Sequence, residues 1–234
     1  MINRLVTLLE EKSPLVVGTV SVMETLRHLA DSPDVPCDVV EARIDLMSGK
    51  EKEALSCCKE IEVHGKPVIV TIRLAVEGGK WTDNDESRKD LFLNALETVS
   101  AIDIELRSKL LPQIYATATR QNRFVIISFH DFNKTPELSE LDALLEKVKV
   151  YSSAILKIAV RAETPDELER IKTFLQKANR HKICTLCMGK FAEESRVSLP
   201  VLGSCLTYGY IDQPVAPRQP DCRFLQNIFG KKAK

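Results

Sequence analysis

Most features that would tie this 234-residue chain to a large partner are missing. Lysine plus arginine match aspartate plus glutamate at 33 each, so no net field draws nucleic acid or an anionic membrane. No apolar run approaches the ~20 residues of a membrane span. Residues 1–10 place an acid directly after a brief apolar stretch and lack a small-residue cleavage site. They read as a short helix and not as a signal peptide. No Gly-x-Gly-x-x-Gly follows the first apolar run, which removes the usual fingerprint of a dinucleotide site. Proline- or serine-rich linkers, charge blocks and low-complexity tracts are absent too. One domain over residues 1–234 is predicted, with a short basic tail at 230–234.

Cysteine is present, seven times, an odd count scattered through apolar segments. That distribution argues for buried thiols and a reducing, cytoplasmic setting. Cys184-Thr-Leu-Cys187 matches C-x-x-C, but it falls in a predicted strand, where residues three apart point to opposite faces. No second pair completes a zinc site, so no metal is expected.

What the chain has in abundance is short runs rich in valine and isoleucine. Eight of them recur, at 14–20, 37–44, 67–73, 101–106, 123–129, 154–160, 182–188 and 201–207. Most are almost continuously apolar, as parallel strands buried on both faces are. Amphipathic stretches with helix signals lie between them. Thr164-Pro165-Asp166-Glu167 is a capping box with proline first, opening a helix that runs to about Asn179. Thr135-Pro136 is expected to open another in the same way. Asp83 or Asp85 suits the cap of a third, and Ser48 the cap of a fourth that stops near Gly65. Strand–helix alternation repeated eight times in a chain of this size predicts a single closed (β/α)8 TIM barrel. An open doubly wound sheet is the runner-up.

Lys157 stands alone in the apolar run Ser152-Ser-Ala-Ile-Leu-Lys-Ile-Ala-Val160. Desolvation disfavours an ammonium there and favours the neutral amine, the species that attacks a carbonyl to form an imine. The alternative is a side chain that reaches the surface or pairs with a carboxylate. In a barrel of this type the chemistry sits at the carboxyl ends of the strands, and polar residues gather at those ends. The second run closes with Glu41-Ala-Arg43-Ile-Asp45, whose period of two puts three charges on one face. The third closes with Thr71-Ile-Arg73 and is followed by Glu77-Gly78-Gly79. Ser128-Phe-His130-Asp131 ends the fifth, and Ser195-Arg196 and a loop through Gln219 follow the seventh and eighth. Each group alone reads as a structural ion pair or a rim residue. Together they make a mouth for a small hydroxylated or carboxylated molecule with a reactive carbonyl.

In this combination and order the residues resemble the type I 3-dehydroquinate dehydratases, Schiff-base enzymes of the shikimate pathway. The motifs that carry the likeness run from Glu41-x-Arg43-x-Asp45 through Arg73-x-x-x-Glu77-Gly-Gly, Asp103-x-Glu105-Leu, Ser128-Phe-His130-Asp131-Phe132 and Leu156-Lys157-Ile158-Ala159 to Met188, Ser195-Arg196, Gly203-Ser204 and Thr207-x-Gly209. The resemblance implies a carbon–oxygen lyase that converts 3-dehydroquinate to 3-dehydroshikimate. Lys157 would form an imine with the ring ketone. His130 would be general base and then general acid, oriented by Glu77. Glu41, Arg43 and Arg73 would hold the ring hydroxyls, and Arg196 the substrate carboxylate, with Gln219 from a closing loop. It also implies no cofactor, because the lysine supplies the electron sink, and a homodimer. The family's loop reads Ser-Ala-Pro-Gly-Gln where this chain has Val215-Ala-Pro-Arg218-Gln219, which exchanges a hydroxyl for an isopropyl group and a glycine for an arginine. Arg218 is long enough to reach the carboxylate itself. Ala192 stands where glycine is common. A Schiff-base aldolase for another hydroxy-keto acid and a non-catalytic barrel that binds a cyclic hydroxy acid are the competing readings.

Overall fold

Period-two burial turns the eight apolar runs into the staves of a barrel. The computed structural model describes residues 3–178 and 181–230. Helix α1 (Arg4–Glu11) leads into β1 (Leu15–Val20), and α2 (Met23–Asp31) returns the chain to β2 (Val39–Arg43). There follow α3 (Glu51–Val63), β3 (Val68–Thr71), α4 (Asp85–Leu96), β4 (Ala101–Glu105), α5 (Leu111–Arg120) and β5 (Phe124–Asp131). The second half continues through α6 (Leu138–Val148), β6 (Ile155–Arg161), α7 (Pro165–Lys177), β7 (Ile183–Met188), α8 (Ala192–Val201), β8 (Leu206–Tyr210) and α9 (Cys222–Phe229). All ladders are parallel, in the order β7-β6-β5-β4-β3-β2-β1-β8. This is a (β/α)8 barrel that is nearly closed, with a seam between β7 and β8.

Two apolar layers divide the core. Outward-facing strand residues such as Val16, Val40, Val70, Ile102, Ile127, Leu156 and Ile158 pack under the helices. Inward-facing Leu15, Val17, Val39, Ile69, Ala101, Phe124, Ile126, Ile155, Cys184 and Leu206 fill the amino end of the barrel, and Leu5 of α1 caps them from below. Polar inward residues begin only in the next layer up. The interior therefore runs from dry at one end to charged at the other.

Several local expectations need correction. The last strand starts at Leu206, not 201, because Leu199-Pro-Val201 completes α8 and Gly203, at φ +114°, turns the chain. A short apolar run at a helix end reads like a strand. Thr135 does not cap a helix; its hydroxyl donates to Arg161 O at 2.6 Å, and Glu137 with Glu140 forms the capping box of α6. Asn84, between the two predicted aspartates, caps α4. Lys50 rather than Ser48 precedes α3, without a side-chain cap. The capping box at Thr164 forms with Glu167, and α7 ends at Lys177; Asn179 lies outside the described residues, as does all of the basic tail beyond Gly230.

Candidate active site

All eight residues singled out from the sequence line one cavity at the carboxyl ends of the strands: Glu41, Arg43, Arg73, Glu77, His130, Lys157, Arg196 and Gln219. A larger cavity of about 920 Å³ opens at the other end of the barrel, beside Tyr115, Arg123, Tyr151 and Lys182. No carboxylate lines it among the described residues, and it has no acid–base pair, so its size does not outweigh the chemistry of the smaller one.

The floor is an inward-facing polar layer. Lys157 is 5% exposed, and its Nζ lies 2.9 Å from Asp103 Oδ2 and 3.5 Å from Glu41 Oε1, over the Tyr208 ring at 3.9 Å from the centroid. The expected apolar setting is thus wrong, for a geometric reason. Leu156 and Ile158 point outward beneath the helices, whereas Lys157 points inward at carboxylates from β4 and β2. Glu41 is further held by the hydroxyls of Thr19 and Thr71, each donating at 2.8 Å. Burial alone would raise the Asp103 carboxyl, but Arg73 and Lys157 outweigh it and hold Asp103 well below the usual carboxylate range.

Arg73 is the hub above this floor. It donates to Asp103 at 2.7 Å and Ser128 at 2.6 Å, and Glu105 lies 3.1 Å away. Glu105 is shared with Arg88, fully buried on α4, which also donates to Ile72 O. Arg43 is turned onto Asp45 as a two-pronged fork at 2.9 and 2.8 Å, which spends much of its donor capacity inside the protein.

His130 is the penultimate residue of β5. Its Nδ1 lies 3.0 Å from Glu77 Oε2, and its backbone N–H donates to the same oxygen at 3.1 Å. Gly78 and Gly79 allow this. A Cβ on Gly78, at φ +79°, would meet Phe132 Cζ at 2.2 Å, and one on Gly79 would meet Arg73 O at 2.0 Å. Burial pushes Glu77 up to about 7, against the pull of Arg73. Burial, reinforced by Arg73 and Lys157, holds His130 well below its usual value. Near neutral pH the imidazole is therefore uncharged, beside a carboxyl that is about half ionised.

Arg196 is 2% exposed and bonds only to carbonyls, those of Tyr208, Cys187 and Ala192. No carboxylate pairs with it among the described residues, and burial lowers it to about 10. A buried cation without a counter-charge is costly unless an anion arrives. Gln219 closes the rim, accepting Val215 N–H at 3.0 Å. Arg218 is exposed and does not line the cavity. It holds a left-handed φ of +56°.

Sequence reading gave no role to Asp103, Arg88 or Tyr208. The strand alternation was a signal for Asp103, which shares the inward register of Thr71. Nothing local marks Arg88, a polar residue on a helix.

The family model of type I 3-dehydroquinase matches residues 14–232. The chain belongs to that family. It is 38% identical over 183 residues to the 3-dehydroquinate dehydratase of Methanocella arvoryzae, covering 78% of this chain and 81% of that one. It is 35% identical over 213 residues to that of Methanosarcina acetivorans, at 86% and 87% coverage. The crystal structure of the type I enzyme from Clostridium difficile, with covalently modified comenic acid, superposes with a TM-score of 0.83 at 25% identity, covering 93% of this chain and 92% of that one. Members of the family are hydro-lyases, and this chain is one of that class.

Proposed function

We propose that the protein dehydrates 3-dehydroquinate to 3-dehydroshikimate through an imine on Lys157. The observation that carries this is one cavity holding a buried lysine, a neutral histidine and a buried arginine without a counter-charge. The amine of Lys157 adds to the ring ketone and water leaves, giving an iminium that draws electrons from the adjacent carbon. His130, uncharged at neutral pH, takes the proton from that carbon and later returns it to the departing hydroxyl. Water then hydrolyses the imine and frees the lysine. Glu77 orients the imidazole through Nδ1, leaving Nε2 to move the proton. Arg196 takes the substrate carboxylate, which supplies its missing partner, and Gln219 closes over it. Glu41, Arg43 and Arg73 face the ring hydroxyls. Lysine provides the electron sink, so no cofactor enters the scheme.

Incubation with 3-dehydroquinate and borohydride, followed by peptide mapping, tests this. A ligand-sized adduct on the Lys157 peptide is expected, absent in Lys157→Ala and accumulated in His130→Ala. Trapping that survives in Lys157→Ala would sink the assignment. Binding without any adduct would return the reading to a non-catalytic barrel.

A further inference from the structure

Seven of the eight strand junctions are backbone ladders, and the eighth, between β7 and β8, is not. The two strands still lie together at their start, where Cys205 N–H donates to Ile183 O at 2.8 Å. Beyond that point the residues of β7 that face β8 are Thr185 and Cys187, because Lys182 and Met188 turn their carbonyls to β6. Several polar groups that a ladder would use here have side-chain partners instead. Thr185 N–H donates to Ser204 Oγ at 3.0 Å, and Cys187 N–H to Ser195 Oγ at 2.9 Å. Across the gap, Leu206 O accepts from Ser204 Oγ at 3.0 Å. Tyr208 O accepts from Arg196 Nε at 2.9 Å, and Cys187 O from Arg196 Nη1 at 3.0 Å. Ser195 passes its own proton to Ala192 O, which Arg196 Nη1 also reaches. Both serines are fully buried.

The guanidinium is thus wedged between two strands of one sheet. Paired strands stand about 4.8 Å apart, too close to admit it. Separated strands leave buried N–H and C=O groups that must find partners. We propose that Ser195 and Ser204 are positioning residues that hold the β7–β8 seam open, so that Arg196 stands in it aimed at the cavity with no counter-charge. The seam is then a device for anion recognition, built by replacing ladder bonds with hydroxyls. For catalysis this rests on the reading of Arg196 as the partner of the substrate carboxylate. Without the Ser195 hydroxyl, Cys187 N–H has acceptors only across the seam. The strands draw together and the guanidinium is displaced.

Two measurements test it on the full chain. In the ligand-free protein, solvent exchange of the Arg196 Nε–H, followed by nitrogen-15 NMR, should be slow and should accelerate at least tenfold in Ser195→Ala or Ser204→Ala. In turnover, Ser195→Ala should raise KM for 3-dehydroquinate about tenfold, one hydrogen bond's worth, with kcat within about twofold, as lost uniform binding does. In an Arg196→Ala background the same change should add nothing. Should Ser195→Ala fail to fold, Ser195→Cys keeps the volume and weakens the acceptor. Unchanged exchange in folded variants overturns the proposal. Faster exchange with an equal KM rise in both backgrounds keeps the seam and overturns the carboxylate role of Arg196.

Discussion

Replacing Glu77 by glutamine should stabilise the protein at alkaline pH while slowing it. Glu77 is 2% exposed, and its carboxyl sits at about 7 instead of 4.5 because burial penalises the anion. Below pH 4.5 the carboxyl is protonated in both folded and unfolded chains, and the group favours neither pH direction. As pH rises from there, the unfolded chain ionises first and the folded chain follows only near 7, so stability falls across that window. The span from 4.5 to about 7, at about 1.4 kcal/mol per pH unit, amounts to about 3 kcal/mol lost by the wild type. Glu77→Gln does not titrate. Its stability relative to wild type should therefore climb by about 3 kcal/mol between pH 4.5 and 8, read from urea midpoints at each pH. Activity should move the other way. The amide oxygen can still accept from Nδ1 of His130, but it cannot hold charge beside the imidazole. A loss of about 10–100-fold in kcat is expected, the usual cost of removing an orienting partner. A stability difference that stays constant with pH would refute the account of Glu77 as a buried, half-ionised acid.

Arg218→Gly tests the left-handed residue in the rim loop. Relief of that conformation contributes about 1–2 kcal/mol, and glycine's extra unfolded-state freedom costs about 0.5–1 kcal/mol. Thermal melts should show a small net gain, and a loss of more than 1 °C would contradict it. Burial pushes the thiols of Cys37, Cys184 and Cys187 up to about 12, so an aromatic disulfide reagent at pH 8 should label half-buried Cys57 first. The other six should react only on unfolding; fast labelling of a second thiol would show that a buried one opens.

The barrel was legible because its signal is local. Seven strands lie where apolar runs predicted them, offset by a few residues, since a run buried on both faces needs no partner to be recognised. The eighth was misplaced where the end of α8 is as apolar as a strand. The cavity residues were legible as a set, because strand ends and period two place Glu41, Arg43, Arg73, His130 and Lys157 together whatever the helices do. Their surroundings were not. The carboxylate nearest Lys157 is 54 residues away in sequence, while the apolar neighbours that flank it in sequence face the opposite layer. The charge state of the Glu77–His130 pair depends likewise on Arg73 and on burial, neither of which the motif spells out. Cys184 and Cys187 point into different apolar layers, as strand alternation requires.

The apolar plug beneath the site has a consequence for traffic. Among the described residues, Leu5 and the inward residues of the first strand layer close the amino end of the barrel, and the cavity opens instead toward Val215 and Gln219. Whatever is consumed and whatever is released uses that opening in turn. A molecule that leaves does so by the route the next one needs. A departing molecule competes with its successor for the same threshold.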